Sequence, residues 1–298
     1  MRLGTRRPSL CLWMALLCTL LRTLVGGAQT PDIFRAEYMR MPENSQGAKL
    51  SRIKLVANYP ITLKDSSNII FGAEYNRLSY GLRREGIPEG IEGLRHLHVA
   101  DINFGYVHRY NTFWRIIGVV TPRLSSTLGA PIEKGDVSFN MTVGVLREKK
   151  HVEKPTILVL GIAYNSTVAL RVPLPIVYFE KRFHEQWSYV LGAPKTALKY
   201  HFDEKHQLQS EFILDGYYVN LQGTILVPGG GGATSISSSG ALGTLGYQYA
   251  IKKSVFLYIY GGHTLFQTGV LRNADREDIF TLNDGPNFYM RAGFRIGL

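Results

Sequence analysis

The C-terminal stretch "GPNFYMRAGFRIGL" (residues 285–298) has two chemically different faces if it is read as an extended strand. Every second residue is apolar: Phe288, Met290, Ala292, Phe294, Ile296 and Leu298. The positions between them include Arg291 and Arg295. Side chains on a β-strand point alternately to opposite sides of the sheet. The stretch therefore predicts a strand with one apolar and one polar face, and the fold must explain what covers the apolar face.

The same alternation recurs along the chain and predicts an all-β protein. It is clearest in "DVSFNMTVGV" (136–145), "RIKLVANYPI" (52–61), "QLQSEFILDG" (207–216) and "IIFGAEY" (69–75). These segments run to about ten residues or more, whereas sandwich strands are usually shorter. Apolar-out, polar-in strands ending in aromatic residues are typical of a transmembrane barrel, because closure satisfies every backbone group in lipid. A soluble β-sandwich also alternates and is the alternative.

The composition agrees with a membrane barrel. The 298 residues suffice for one large all-β domain. Charged residues make up only 19%, which is low for a soluble surface. The mean hydropathy of −0.04 is too low for a helical membrane protein. The net charge of +11 favours an anionic surface or solute, and because no basic-aromatic recognition motif is present we expect no nucleic-acid partner.

Residues 1–28 predict a secretory signal peptide rather than a part of the fold. Arg2, Arg6 and Arg7 precede the apolar run "LCLWMALLCTLL", and "VGGAQ" offers a cleavage site after Ala28. A signal anchor is the alternative, but the apolar run is short for a membrane span. Both cysteines, Cys11 and Cys18, would leave with the signal, so we expect neither a disulfide nor a thiolate metal site in the exported chain, residues 29–298.

Counting connections back from Leu298, long loops and short turns alternate, as in an up-and-down barrel with its ends in the periplasm. The pattern predicts about fourteen strands, with long extracellular loops at 222–239 and 266–286. "REKKHVEKP" is long for its place on the turn side. Pro194 is the doubtful point, because the apolar positions change from odd to even there. A tight turn at Pro194 gives fourteen strands, and a bulge in one distorted wall segment could give twelve.

The predicted strands are 32–41, 49–62, 67–81, 95–109, 113–125, 135–147, 156–165, 172–182, 187–193, 195–202, 207–221, 240–250, 254–265 and 287–298.

The terminal strand resembles the signal that the outer-membrane barrel assembly machinery recognises. It ends flush with the chain and carries Phe288, Met290, Phe294, Ile296 and Leu298 on one face, although Leu298 replaces the usual terminal aromatic. With "DIFRAEYMRMPE" near its start and "LPIVYF…WSYVLGAPKTALKYHF" in its middle, the chain is similar to an uncharacterised family of Gram-negative outer-membrane barrels, known as a domain of unknown function. That resemblance implies the fold and an outer-membrane location, with lipid, lipopolysaccharide and the assembly machinery as partners, and implies no chemistry.

The leading functional hypothesis is passive passage of small solutes, with a weak preference for anions because basic residues lining a pore favour them. Inward charges that pair across a filled interior would instead conduct nothing. The predicted lumen-facing bases are Arg35, Arg52, Lys54, Arg77, Arg115, Arg123, Lys195, Lys199, Arg291 and Arg295. The predicted lumen-facing acids are Glu37, Glu74, Asp101, Asp136, Glu211 and Asp215.

Two other functions remain open. A non-conducting structural or adhesion barrel would use the 222–239 and 266–286 loops. A lipid-modifying enzyme would need a base such as His263, but no nucleophile motif accompanies it, so we expect no enzymatic activity. His96 and His98 lack a third metal ligand, and the glycines at 229–232 lack the Lys-Ser/Thr of a phosphate loop. We therefore expect no metal and no cofactor.

Overall fold

The computed structural model describes residues 32–83, 85–149, 152–165, 173–228 and 231–297. The predicted signal peptide (1–28) and Leu298 of the predicted assembly signal lie outside these residues.

The described chain is almost entirely β-structure. The strands are β1 (Phe34–Met41), β2 (Ala48–Thr62), β3 (Asn68–Leu82), β4 (Leu97–Arg109), β5 (Trp114–Ser126), β6 (Val137–Lys149), β7 (Thr156–Asn165), β8 (Leu174–Arg182), β9 (Trp187–Ala193), β10 (Lys195–His201), β11 (His206–Leu226), β12 (Gly232–Lys252), β13 (Val255–Arg272), β14 (Asp278–Asn283) and β15 (Phe288–Ile296). Two 3₁₀ helices, Ile91–Arg95 and Lys134–Asp136, lie in connections. Nowhere in these described residues does a helix have the length and apolar character needed to cross a membrane.

The strands close into an antiparallel barrel. Each strand from β1 to β13 pairs with the next, and β15 pairs with both β13 and β1, as in Tyr38↔Ala292 and Ile259↔Ala292. β14 pairs only with β13, beyond the wall, so the described wall has fourteen strands and the predicted number is confirmed. Pro194 lies in a tight turn between the paired strands β9 and β10, which excludes the twelve-strand alternative.

The outer surface is an apolar belt. Tyr59, Ile102, Phe139, Ile162 and Ile259 are among the large apolar side chains that point outward and are exposed. Leaving so many of them in water would be unfavourable, whereas lipid accommodates them. The architecture is therefore a transmembrane barrel of the Gram-negative outer-membrane type, and this supports an outer-membrane location.

The two ends of the barrel differ. The short connections 63–67, 110–113, 183–186, 202–205 and 253–254 lie at one end, which we call the turn end. The opposite end, which we call the loop end, carries the longer connections and is the extracellular side in barrels of this class.

The two predicted long loops at the loop end are wrong. Residues 222–239 and 266–286 are largely strand, because β11 continues to Leu226, β12 begins at Gly232, β13 continues to Arg272 and β14 follows. The serine-rich part of β12 pairs on both sides, as in Ser238 with Tyr217 and Gly269. Pairing on both edges fixes a segment whose Gly and Ser content alone indicated a flexible loop.

The long strands β11 and β12 form a hairpin that bends into the lumen. β11 loses its β10 partner after Ile213, and near its far end Asn220 pairs in parallel with Ser126 of β5. Leu226 then forms a bridge with Glu89, in the connection before β4. We call residues 214–228 and 231–240 the inward hairpin, because they cross from one wall to the other at the loop end.

Candidate functional site in the barrel lumen

An apolar plug fills the loop-end half of the lumen on the β1–β4 side. The inward-facing side chains of the first four strands are nearly inaccessible there, as shown by Met39 at 1% and Leu97 at 0% exposure. The inward hairpin contributes Val219, Leu221 and Ile236 to the same core. Burial of this many apolar side chains excludes water from this half, so no axial path passes through it.

Polar contacts fasten the inward hairpin to the opposite wall. Ser125 Oγ donates to the Tyr218 carbonyl oxygen at 2.6 Å. Asn220 Nδ2 and Gln222 Nε2 donate to the two carboxylate oxygens of Asp136 at 2.8 and 2.7 Å. Burial alone would raise the pKa of Asp136, but the hydrogen bonds from the Glu133 N–H and the hairpin amides lower it below its usual value. Asp136 therefore anchors the hairpin as a carboxylate.

The centre of the lumen holds a charged network around Glu211 on β11. Arg291 Nη2 lies 2.9 Å from Glu211 Oε2, and Lys195 donates to Oε1. Tyr258 donates to Glu37 Oε2 at 2.8 Å, and Arg291 lies 3.7 Å from the same oxygen. These contacts join β1, β10, β11, β13 and β15 into one polar layer.

A second set of ion pairs spans β2, β3, β4 and β5. Arg52 forms two hydrogen bonds with Asp215, at 3.1 and 2.9 Å, that cross the lumen from β2 to the base of the inward hairpin. Lys54 Nζ lies 2.8 Å from Glu74, and Arg123 makes a bidentate pair with Asp101 at 2.6 Å. Paired, hydrogen-bonded charges tolerate a partly desolvated interior.

Nearer the turn end, further ion pairs join basic and acidic side chains of the lumen. Arg115 lies 3.2 Å from Glu148, and Arg295 lies 3.3 Å from Asp32. Lys199 Nζ lies 2.5 Å from Glu180, which also accepts a hydrogen bond from Tyr178.

Two predicted lumen residues lie elsewhere. Asp136 precedes β6 and caps the 3₁₀ turn that holds the hairpin, so it does not line a wall. Arg77 is exposed and its Nη2 lies 3.5 Å from His96 Nδ1, because the inward residues of β3 are the even-numbered Glu74, Asn76 and Leu78. The other predicted residues lie on wall strands and in the ion pairs above, except that Arg35 pairs with Asp32, which precedes β1.

Tyrosines narrow the lumen on the β12–β15 side, and glycines make room for them. A Cβ on Gly246 would meet the Tyr260 ring at 1.9 Å, and one on Gly293 would meet the Tyr258 ring at 2.5 Å. Each ring therefore lies directly over the backbone of the neighbouring wall. Arg291 stacks on Tyr260, with its guanidinium carbon 4.4 Å from the ring centre.

The β6–β8 side of the lumen is open by contrast. Inward residues there, including Thr142, Gly161 and Ala163, are only partly buried. A cavity of about 550 Å³ lies at the loop end on this side, between β7, β8, the β9–β10 turn and the inward hairpin. A smaller cavity of about 120 Å³ between Lys54, Glu74 and the hairpin shares Arg123 and Asp215 with it. The accessible volume is therefore off the barrel axis.

In most of these ion pairs the base is more exposed than the acid. The Lys195 side chain is 36% exposed and that of Glu211 0%, and Arg115 is 36% exposed against 12% for Glu148. Arg52–Asp215 and Lys199–Glu180 are the reverse, and Lys54 and Glu74 are almost equally exposed. Water in the lumen consequently meets more positive than negative charge.

The inward hairpin is not among the elements predicted from the sequence, although the sequence carries a signal for it. Near the loop end the inward positions become apolar, as with Met39, Leu78 and Tyr80, while the outward positions beside them include Arg40 and Arg77. Such a change is expected only where something apolar fills the lumen. A lumenal pair, Ser188 Oγ with His201 Nε2 at 2.9 Å, is likewise absent from the predicted residues.

The histidines that the sequence singled out have ordinary contacts. His263 is exposed on β13, and its Nδ1 lies 2.9 Å from the Thr264 carbonyl oxygen. His98 Nδ1 lies 2.7 Å from the Tyr75 hydroxyl. Within the ranges that the structure describes, no three His, Cys, Asp or Glu side chains gather as a metal site would require.

Comparisons with known proteins give a family and several distant structural matches. Residues 46–297 match the family described as Domain of unknown function (DUF6268), and no match was found among curated proteins. Matched structures include the NanC porin (7% identity, TM-score 0.39, covering 89% of this chain and 100% of that one) and a TodX monoaromatic hydrocarbon channel mutant (11%, 0.38, 90% and 91%). LpxR from Salmonella typhimurium also matches (9%, 0.37, 89% and 100%). At these identities and scores the structural matches carry no argument about function.

Proposed function

The chain belongs to this family of unknown function, and we propose that its barrel is a passive pore for small solutes with a weak preference for anions. The observation that carries the proposal is the part-exposed inner face of β6–β8, beside a cavity of about 550 Å³. The apolar plug closes the rest of the loop end. We therefore expect an off-axis path whose conductance is small for a barrel of this strand number.

The anion preference is argued from unequal exposure within the ion pairs. A solute passing Lys195 and Arg115 meets the basic partner, because Glu211 and Glu148 are shielded. Near balance of opposite charges keeps the preference weak, since each base already has a carboxylate beside it. Exposed bases in a pore attract anions and repel cations.

The test is a planar bilayer measurement under a salt gradient. We expect channels whose reversal potential shows anions to be more permeant than cations. Lys195→Gln should shift that potential toward the non-selective value, because it removes an exposed positive charge while Glu211 keeps Arg291. Lys253→Gln, in the exposed β12–β13 turn, is the matched control and should leave the potential unchanged.

The pore proposal and the argument about its ion selectivity can fail separately. A correctly folded barrel that is silent at all voltages would contradict the pore and favour a structural barrel. Channels whose selectivity is unchanged by Lys195→Gln would contradict the charge argument alone.

An adhesion function is less favoured than the pore, because the loops that would mediate adhesion are largely strand. The absence of enzymatic activity, export by a signal peptide, and assembly-machinery recognition of Phe288, Met290, Phe294, Ile296 and Leu298 stay predictions.

A further inference from the structure

The barrel wall is low at the β9–β10 turn, because the two strands joined there are short. β9 and β10 have 7 residues each, whereas the nearby β11 and β12 have 21 each. A β-strand that crosses a bilayer needs about 9–11 residues. The β9–β10 turn therefore ends the wall inside the apolar band, while β8 extends past it to Leu174 and β11 bends inward after Ile213.

The cavity of about 550 Å³ opens above this low edge. Ala193 and Pro194 of the turn form its lower rim, and Leu174, Leu214 and Phe266 flank it. Leu214 is 46% exposed and Phe266 is 54% exposed. Because these side chains lie at the outer surface, the mouth of the cavity is apolar and faces lipid as well as the lumen.

The polarity of the β12 surface changes between the part below the cavity and the part that lines it. Leu245 and Tyr247 lie nearer the turn end on the outward face of this strand and are exposed to lipid. Further toward the loop end, the cavity is lined by the serines Ser237, Ser238 and Ser239. The apolar side chains lie toward the turn end and the hydroxyls lie toward the loop end. This is the order of hydrocarbon chain and polar head group in the outer leaflet of a membrane.

The cations near the cavity are already neutralised. Arg123 is paired with Asp101, and Arg272 Nε donates to Asp278 at 2.7 Å. The site therefore offers hydroxyl hydrogen bonds and apolar contact more than net charge. A cavity of this size with a mostly apolar lining and a few polar groups is typical of small-molecule sites.

We propose that this notch is a lateral binding site for a single-chain amphiphile, a fatty acid being the class that fits, taken from the outer leaflet. The hydrocarbon chain lies against Leu174, Leu214 and Phe266, and the polar head reaches the serines of β12. The site does not depend on the proposed pore, because a sealed barrel would bind the chain in the same way.

The test uses a single thiol on β12. Both cysteines of the sequence, Cys11 and Cys18, precede residue 29, so a chain expressed from residue 29 carries only the thiol that is introduced. Ser239→Cys at the cavity, labelled with bimane in nanodiscs, should be quenched by a doxyl-labelled stearate in a saturable manner. Excess unlabelled oleate should reverse the quenching.

Leu245→Cys, on the same face of the same strand, reports the stearate dissolved in the surrounding lipid. Its quenching should rise linearly and resist competition. Ala193→Phe narrows the mouth and should abolish the saturable part at Ser239→Cys, whereas Ala73→Phe, at an exposed alanine of β3, should not. Linear quenching at both thiols, or saturable quenching that survives Ala193→Phe, would overturn the proposal.

Discussion

Individual residues determine how charged side chains are stabilised in the lumen, and Glu211 is the clearest case. Its side chain has no exposed surface, and it accepts hydrogen bonds from Arg291, Lys195 and Gln209. A carboxyl group buried in such a place is tolerated only because its partners replace the hydrogen bonds of water. The network therefore depends on the acid more than on any one base.

We predict that Glu211→Gln lowers the free energy of unfolding by about 3 kcal/mol, the usual effect of breaking a buried ion pair. The amide keeps the volume but presents N–H groups toward Arg291 and Lys195. Urea unfolding of the barrel in lipid vesicles, followed by intrinsic fluorescence, measures the change. Glu204→Gln, in an exposed turn, is the control, and equal stability of the two variants would show that the network contributes little.

Residue by residue, alternation was a good guide to which charges face inward. Arg52, Lys54, Arg123 and Arg291 lie in lumenal ion pairs. Alternation could not place Asp136, which precedes its strand and takes its role from two hairpin amides. It also carried no information on partners, because each partner lies on another strand.

At the scale of elements, the inward hairpin is the feature that sets the lumen's shape. It is held at Asp136 and Ser125 by hydrogen bonds and along its length by apolar packing. The packing supplies most of the stabilisation, since apolar burial scales with area. The hydrogen bonds fix where the hairpin meets the opposite wall.

Asp136→Ala should weaken the attachment of the inward hairpin to the opposite wall. Hydrogen bonds to a charged acceptor contribute about 1.5–3 kcal/mol each, so we expect amide hydrogen exchange at 218–226 to become at least roughly tenfold faster. Mass spectrometry of the exchanged peptides measures this. Asp65→Ala removes a carboxylate that accepts hydrogen bonds from Ser67 in a turn-end connection, and it should leave the hairpin unchanged.

The contribution of Asp136 to holding the inward hairpin has a defined pH dependence. The pKa of Asp136 is lowered in the folded protein, so its contribution is fully present above its unfolded pKa of about 3.9. The contribution is lost as the pH falls through the lowered value. Relative to Asp136→Ala, the protection of 218–226 should therefore be constant near neutral pH and decline only in strong acid. A decline near pH 7 would contradict the assignment.

At the scale of the whole molecule, the outer belt determines where the protein can exist. Arginine on the lipid-facing surface of a barrel costs about 2–4 kcal/mol at the bilayer midplane and about 0–1 kcal/mol near the interface. Ile259, in the middle of the belt on β13, and Ile61, at the turn end of β2, are both outward and exposed. The belt therefore predicts a depth-dependent penalty for a charge.

We expect Ile259→Arg to destabilise the vesicle-inserted barrel by about 2–4 kcal/mol and Ile61→Arg by less than about 1 kcal/mol. Urea titration in vesicles, with both variants refolded identically, compares them. If both substitutions cost the same small amount, the surface does not contact a hydrocarbon core and the transmembrane assignment fails.

The sequence by itself determined the strand class, the closed barrel and, on most strands, the side that faces lipid, and it left fourteen and twelve strands open. These follow from period-two alternation and turn spacing, which are local properties of the chain. Only the tertiary structure decided that the lumen is plugged on one side, that the two cavities among the described residues lie off the barrel axis and that the wall is low at β9–β10. Those features depend on contacts such as Asn220 with Asp136 and Arg52 with Asp215, between strands far apart in the sequence. Alternation gives the direction of a side chain, and only the folded barrel determines what that side chain meets.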